Sequence, residues 1–278
     1  MKPLIRWVGS KYRMIELYRT SIGVRLEAGA QRLIEPFAGA AAVSCAFGSR
    51  VNVVLLNDAC QPLANFYHNA TQAPTPTAEA VMRLVSNWTG ADSYYALREA
   101  FNSNKVGVFK RNTVETAAQF YVLNHYGYNG LYRVNRGGGF NVPFDASRRP
   151  VVDPREKFEG AAEFFKTKSL RYSSMDFAEF VEGAAVGPGD VVYFDPPFDE
   201  TFSQYTRSWF STNSQTNVRD CAERCRAKGA TVYVANSDTL AIRALYEGWR
   251  VEVLPVRRTV SCDVGGRGVQ SELLISGA

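Results

Sequence analysis

The chain has 278 residues, 46% of them hydrophobic and 21% charged, which excludes a largely disordered protein and leaves room for one large domain or a domain carrying an insertion. A formal charge of +5 is too small to argue for a polyanionic partner by itself. The amino terminus lacks the apolar stretch of a signal peptide, and charges or glycines interrupt every apolar run before it reaches membrane-spanning length. The five cysteines form no CxxC pair, and Cys221 and Cys225, four apart, read as one buried helix face. With two histidines in the chain no metal site is expected, and a reducing cytoplasmic setting fits.

Taken in chain order, residues 5–11 (IRWVGSK) bring Trp7, Gly9 and Lys11 close together ahead of the first strand. Residues 31–35 (QRLIE) form a buried strand that runs into a tight turn of small residues, LIEPFAGAAAV over 33–43. A strand, a turn and a small-residue helix start bring backbone close to a nucleoside ligand. Glu35, Pro36, Phe37 and Gly39 are therefore candidate cofactor residues, with Glu35 placed to meet the amino group of an amino-acid moiety. A single glycine here is not the GxGxxG of dinucleotide binding. The next strand, residues 51–56 (VNVVLL), ends in Asn57 and Asp58. An acid at that position commonly holds ribose hydroxyls, and the plainer alternative is a helix N-cap before Gln61.

The middle of the chain has another character. Residues 73–77 (APTPT) read as a linker, and residues 78–124 are mainly helical without strand alternation. Residues 126–144 are dense in glycine, asparagine, tyrosine and arginine, and Arg133, Arg136, Arg148 and Arg149 stand against one acid, Asp145. Arginine reads guanine bidentately, apolar groups meet thymine methyls and tyrosine can wedge between bases. The plainer alternative is a hairpin that turns at Asn129 and Gly130, its arginines solvated. The expected division is a sheet domain of residues 1–59 and 155–278 interrupted by an inserted domain of residues 60–154.

After the stop at residues 187–189 (GPG), the strand 191–194 (VVYF) delivers Asp195, Pro196, Pro197 and Phe198 to the carboxyl edge of the sheet. The prolines fix φ and offer carbonyls without donors. An exocyclic adenine amine is a poor nucleophile because its lone pair is delocalised. One acceptor on each N–H, the Asp195 carboxylate and the Pro196 carbonyl, favours a pyramidal nitrogen aimed at a methyl donor. Phe198 would stack on a base extruded from the duplex. A helix over residues 216–228 stopping at Gly229 and a strand over 231–235 (TVYVA) complete an alternation that implies a parallel sheet with helices on its faces.

Together these segments resemble the Dam family of DNA adenine-N6 methyltransferases. The likeness rests on W-x-G-x-K, E-P-F-x-G, N-D, the string NHYGYNGLYRVNRGGGFNVPF over residues 124–144, D-P-P followed by an aromatic, NSDT over 236–239 and the tail over 256–275. It implies an α/β, Rossmann-like S-adenosylmethionine-dependent methyltransferase sheet with an inserted, mainly helical DNA-recognition domain bearing a β-hairpin. By resemblance Trp7, Lys11, Asp58 and Asp195 contact the cofactor or line its pocket. Tyr128 enters the duplex, and Arg6, Asn129, Leu131, Arg133 and Pro143 read or hold double-stranded DNA. The implied target is GATC. Arg6 stands where the family usually has lysine, Phe198 where tyrosine is commoner, alanines replace glycines after Gly39, and Ala146 departs from the usual end of the hairpin. A monomer suffices, since one strand is modified per visit. The alternatives from other classes are a catalytically silent DNA-binding module, against which the intact D-P-P-F speaks, and a nicotinamide-dependent oxidoreductase, against which the missing GxGxxG speaks.

Overall fold

A computed structural model describes residues 1–103, 113–166, 170–198, 212–257 and 269–277. Seven strands form one sheet: β1 (Arg32–Glu35), β2 (Val53–Asn57), β3 (Arg171–Ser173), β4 (Asp190–Phe194), β5 (Thr231–Ser237), β6 (Arg250–Arg257) and β7 (Val269–Gly277). Their order is β3-β2-β1-β4-β5-β7-β6, with β1 to β5 parallel and β7 antiparallel to both β5 and β6. The chain winds outward from β1 to β3 and then returns to lay β4 on the other side of β1. That reversal opens a crevice at the carboxyl ends of β1 and β4, where open α/β sheets bind their ligands.

All residues of β4 and β5 are buried, and the two-residue period of a strand sorts them onto two faces. Leu33, Val191, Tyr193 and Tyr233 face one core, and Ile34, Val192, Phe194 and Val232 face the other. Both faces are covered, as a parallel sheet requires. Each such apolar side chain contributes about 1.5–3 kcal/mol by leaving water, which is why apolar runs rather than alternating ones marked these strands. At the amino end of the sheet Arg32 grips buried Asp190 through Nε and Nη2 at 2.7 and 2.5 Å and caps Ala184 and Ala185 carbonyls. β1 and β4 are thereby tied at the end remote from the crevice.

The amino-terminal segment turns into short helices α1 (Ile15–Tyr18) and α2 (Val24–Glu27), joined through a π-helical turn at Arg19–Gly23. Helix α3 (Ala42–Phe47) follows β1. Between β2 and β3 lie α4 (Gln61–Gln72), α5 (Pro74–Val85), α6 (Ala91–Ser103), α7 (Val114–Tyr126), an open hairpin and α8 (Arg155–Lys166). Helices α9 (Phe177–Gly183), α10 (Thr212–Ala227) and α11 (Leu240–Leu245) complete the described fold. The core under α4 to α8 is continuous with that of the sheet: Phe66, Phe101, Phe120 and Phe158 belong to the same cluster as Leu33 and Val191. No helix among the described residues is long and apolar enough to cross a membrane.

Several sequence expectations need correction. Residues 73–77 are not a linker: α4 ends at Gln72, Ala73 alone makes the joint, and α5 begins at Pro74. Proline is compatible with a first helical turn, whose N–H groups have no intrahelical partner in any case. The Thr77 hydroxyl then donates to the Asn69 and Ala73 carbonyls and locks the joint. β2 starts two residues later than expected, β5 runs two further, and α10 starts at Thr212 rather than 216. Strands β3, β6 and β7 had no apolar-run signal; β3 is short and mostly half-buried at the sheet edge, and β6 carries Glu252 and Pro255. Cys221 and Cys225 do share one buried face, on α10. Cys262 and residues 258–268 of the tail fall outside the described residues.

Candidate functional site

The sequence places Asp195 one residue beyond β4, and the structure surrounds it with groups from two distant places and with Phe198 of its own turn. Lys11 Nζ lies 3.1 Å from Asp195 Oδ1 and 3.6 Å from Glu272 Oε2, with the Lys11 and Glu272 side chains at 6% and 9% exposure. The same ammonium sits 4.2 Å from the centroid of the Phe198 ring, a cation–π geometry. Two carboxylates and one ammonium leave a net negative charge beside an aromatic face. Burial pushes the Asp195 carboxyl up to about 6, against the pull of Lys11, and Glu272 adds to the rise. It is therefore ionised at neutral pH and close enough to its titration to feel its neighbours. Glu272 Oε2 has no hydrogen bond among the described residues and is held by the longer ion pair to Lys11.

The turn after β1 is knitted to the ends of β2 and β3. Asn57 donates to the Pro36 and Met175 carbonyls and accepts from the Met175 N–H and the Ser173 hydroxyl. Asp58 accepts the Gly39 N–H on one oxygen and the Cys60 N–H on the other, both at 2.9 Å. It does not cap α4, whose N-cap is Cys60; it pins the turn instead. Burial raises its carboxyl, opposed by those two N–H groups. Gly39 has a left-handed φ of 49°, and a Cβ there would meet Trp7 Cδ1 at 2.8 Å. Only glycine supplies both the conformation and the room for the indole. Phe37 packs against Phe177 and Phe194. Glu35 is 2% exposed, and its Oε1 accepts from both the backbone N–H and the hydroxyl of Ser44 at the start of α3. Burial raises its carboxyl to about 8.

The hairpin is looser. It closes through two isolated antiparallel bridges, Gly127 with Phe144 and Val134 with Phe140, and its tip is the Asn135–Gly139 turn, where Asn135 N donates to the Gly139 carbonyl at 2.7 Å. Asn129 and Gly130, with φ of 54° and 65°, make a separate left-handed turn at its base rather than its tip. Tyr128 is 51% exposed, and Asn129 and Pro143 are exposed beside it, while Leu131 and Arg133 are half-buried. Arg133 Nε donates to Asn141 Oδ1 at 2.7 Å and its Nη2 to the Asn141 carbonyl, across the two arms.

One short segment connects all three parts. Asn124 Nδ2 donates to the Arg6 and Gly130 carbonyls, and a Cβ on Gly130 would come within 2.6 Å of Arg6 Cβ, so exposed Arg6 is seated at the hairpin base. Trp7 stacks on Tyr132 of the hairpin and covers Gly39 of the turn after β1. Lys11 reaches Asp195. The structure thus gathers Arg6, Trp7, Lys11, Gly39, Asp58, Asp195 and Phe198 along one edge of the sheet, and leaves Glu35 behind the turn, bonded to α3. Sequence reasoning missed Glu272, Tyr132 and Gln215. The available signal for Glu272 was an acid standing directly before Leu273, Leu274 and Ile275, where a buried carboxylate needs a cation.

Comparisons with known proteins follow the same outline. A family model for the D12 class N6 adenine-specific DNA methyltransferases matches residues 7–261. The chain is 28% identical to the Type II methyltransferase M1.LlaDCHI of Lactococcus lactis subsp. cremoris, over 99% of this chain and 95% of that one. It is 30% identical to a DNA adenine methylase of Vibrio cholerae serotype O1, over 98% and 95%. It is 33% identical to the DNA N-6-adenine-methyltransferase of Escherichia phage P1, over 98% of this chain but 35% of that longer protein.

Proposed function

The chain belongs to the D12 class N6 adenine-specific DNA methyltransferases, and from that premise we propose that it methylates adenine in GATC within duplex DNA, on a base extruded from the helix. The enzyme is a DNA adenine-N6 methyltransferase with S-adenosylmethionine as methyl donor. The bound cofactor supplies a methyl group made electrophilic by a sulfonium.

The residues present fit that cofactor. The excess negative charge of Asp195 and Glu272 over Lys11 suits a cation, and the tight Gly39 turn under Trp7 stands at the carboxyl edge of the sheet, where a nucleoside would lie. In the proposed arrangement Trp7, Lys11, Pro36, Phe37, Gly39, Asp58 and Asp195 hold the cofactor, and Glu35 acts through the Ser44 end of α3. The Asp195 carboxylate accepts one N–H of the target amine and the Pro196 carbonyl accepts the other, so the nitrogen lone pair turns toward the donor. Phe198 stacks on the adenine. Lys11 holds Asp195 in its ionised form without spending a proton. Residues 60–154 act as the target-recognition part, with exposed Tyr128 filling the space the base leaves and Arg6, Asn129, Leu131, Arg133 and Pro143 contacting the site. The enzyme works as a monomer in the cytoplasm.

The observation that carries this reading is the Lys11–Asp195–Phe198 cluster at the carboxyl end of β4. Modified-base sequencing of plasmid from cells making the protein tests it. N6-methyladenine confined to GATC is the expected result; methylation at another sequence overturns the target, and unmodified DNA overturns the assignment of chemistry to this cluster.

A further inference from the structure

The turn that carries Asp195 to Phe198 has no secondary structure of its own, so something must hold its shape. Its sequence does most of this. Pro196 and Pro197 have fixed φ. Asp195 and Pro196 each precede a proline, which confines their ψ to extended values. The torsions of Phe198 itself stay free, and so does the ψ of Pro197, which precedes it. That last torsion sets the direction of the Pro197 carbonyl and, through the next peptide plane, helps set the position of the Phe198 ring.

Behind the turn, a second device acts on that torsion. Gln215, in the first turn of α10, donates Nε2 to the Pro197 carbonyl at 2.8 Å. Its Oε1 accepts from Asn236 Nδ2 of β5 at 3.0 Å. Asn236 Oδ1 in turn accepts the backbone N–H of Ser237 at 2.9 Å. Both side chains are buried, Gln215 at 2% exposure and Asn236 at 0%. The polarity of the chain is not arbitrary. A backbone N–H can only donate, so Asn236 must present oxygen to Ser237 and nitrogen to Gln215. Gln215 must then present its NH2 to Pro197. Two amides pass one fixed donor direction from the sheet to the turn.

We propose that Gln215, oriented by Asn236, is a positioning residue that fixes the ψ of Pro197 in the D-P-P-F turn and thereby helps set Phe198 for stacking on the target base. This rests on the proposed role of that turn in gripping adenine. Gln215 touches neither cofactor nor substrate in this scheme, so its loss acts on the chemical step and spares binding of the cofactor.

Two variants test it in single-turnover methylation of a duplex. Q215L removes the donor; the chemical rate falls about tenfold to a hundredfold, the scale set by misplacing a reacting group by an ångström, while the Kd for S-adenosylmethionine stays near wild type and the Tm drops modestly, because the Asn236 amide and the Pro197 carbonyl each lose a buried partner. Q215E discriminates further. Its carboxylate cannot donate to Pro197, but the protonated acid can, and its other oxygen still accepts from Asn236. The ratio of Q215E to wild-type rate therefore rises as pH is lowered from 8.5 to 6.5. Asp195, Lys11 and Glu272 are common to both proteins, and the ratio cancels them. A Q215L rate equal to wild type, or a Q215E ratio flat with pH, overturns the proposal; if Q215L does not fold, the ratio decides alone. Failure of the underlying reading shows instead in the wild-type enzyme, as methylation that survives loss of Asp195.

Discussion

The turn after β4 and the hairpin between α7 and α8 are built in opposite ways. Around Asp195 two prolines, a buried ammonium, a second carboxylate and an amide relay constrain a four-residue segment. The hairpin of residues 127–144 has two isolated bridges, and most of its candidate reading residues are open to solvent. Its base is anchored through Asn124, Gly130 and the stack of Trp7 on Tyr132, and its returning arm by Asn102, which exchanges two hydrogen bonds with Phe140, and by Tyr94 and Arg98 at the Val142 carbonyl, while Tyr128, Asn129 and Pro143 face outward. The difference follows from what each must meet. Transition-state stabilisation needs dipoles already in place, because reorganising them costs rate, whereas a surface that meets a deformable duplex gains by adapting to it.

The comparison breaks most sharply at Asp195. In the D195A variant methyl transfer falls by about a thousandfold or more, the scale for removing a preorganised partner, while a gel-shift Kd for duplex DNA stays within about threefold, protein–DNA affinity coming mainly from phosphate contacts. Equal losses in both would dissolve the distinction between the regions. Next in size, R133A costs about 1–3 kcal/mol of discrimination at a single base pair, read as competition between cognate and singly mismatched duplexes, with cofactor affinity unchanged. An equal loss on every sequence would mean that Arg133, braced by Asn141, only supports the hairpin.

At the joint between the regions, G39V forces a β-branched residue into left-handed backbone and against Trp7. Strain of about 1–2 kcal/mol and a displaced indole are expected to weaken S-adenosylmethionine binding about tenfold by calorimetry, and unaltered binding would remove the turn from the cofactor site. The smallest effect concerns acid. Asp195 must be ionised to accept the amine hydrogen, and its carboxyl titrates near 6. The single-turnover rate is therefore flat at neutral and higher pH and falls as pH drops through 6. Glu272 raises that titration, so E272Q moves the acid limb to lower pH by less than about one unit. A limb moved upward would contradict the charge arrangement around Lys11.

The alternation of apolar runs with helical stretches was enough to expect a parallel sheet, because the middles of β1, β4 and β5 are buried on both faces and apolar, and their polar residues, Arg32, Glu35, Asp190 and Asn236 among them, stand toward the strand ends with bonded partners. The D-P-P-F turn was equally plain, since proline dictates backbone directly. The error at residues 73–77 shows the limit of that rule: the same residue that breaks a helix interior is tolerated in its first turn, and composition does not reveal which position it will take. β6 and β7 escaped notice because an antiparallel edge pair draws its stability from partners far along the chain.

Local chemistry in the sequence determined which segments turn, which strands are buried, where a carboxylate meets the sheet edge and which residues could grip a base. The fold alone decided that Lys11 would stand between Asp195 and Glu272, that Trp7 would close over Gly39, and that Gln215 would hold Pro197. These pairs are separated by tens to hundreds of positions, and a contact across such a separation exists only once loop closure has been offset by the burial of a common core.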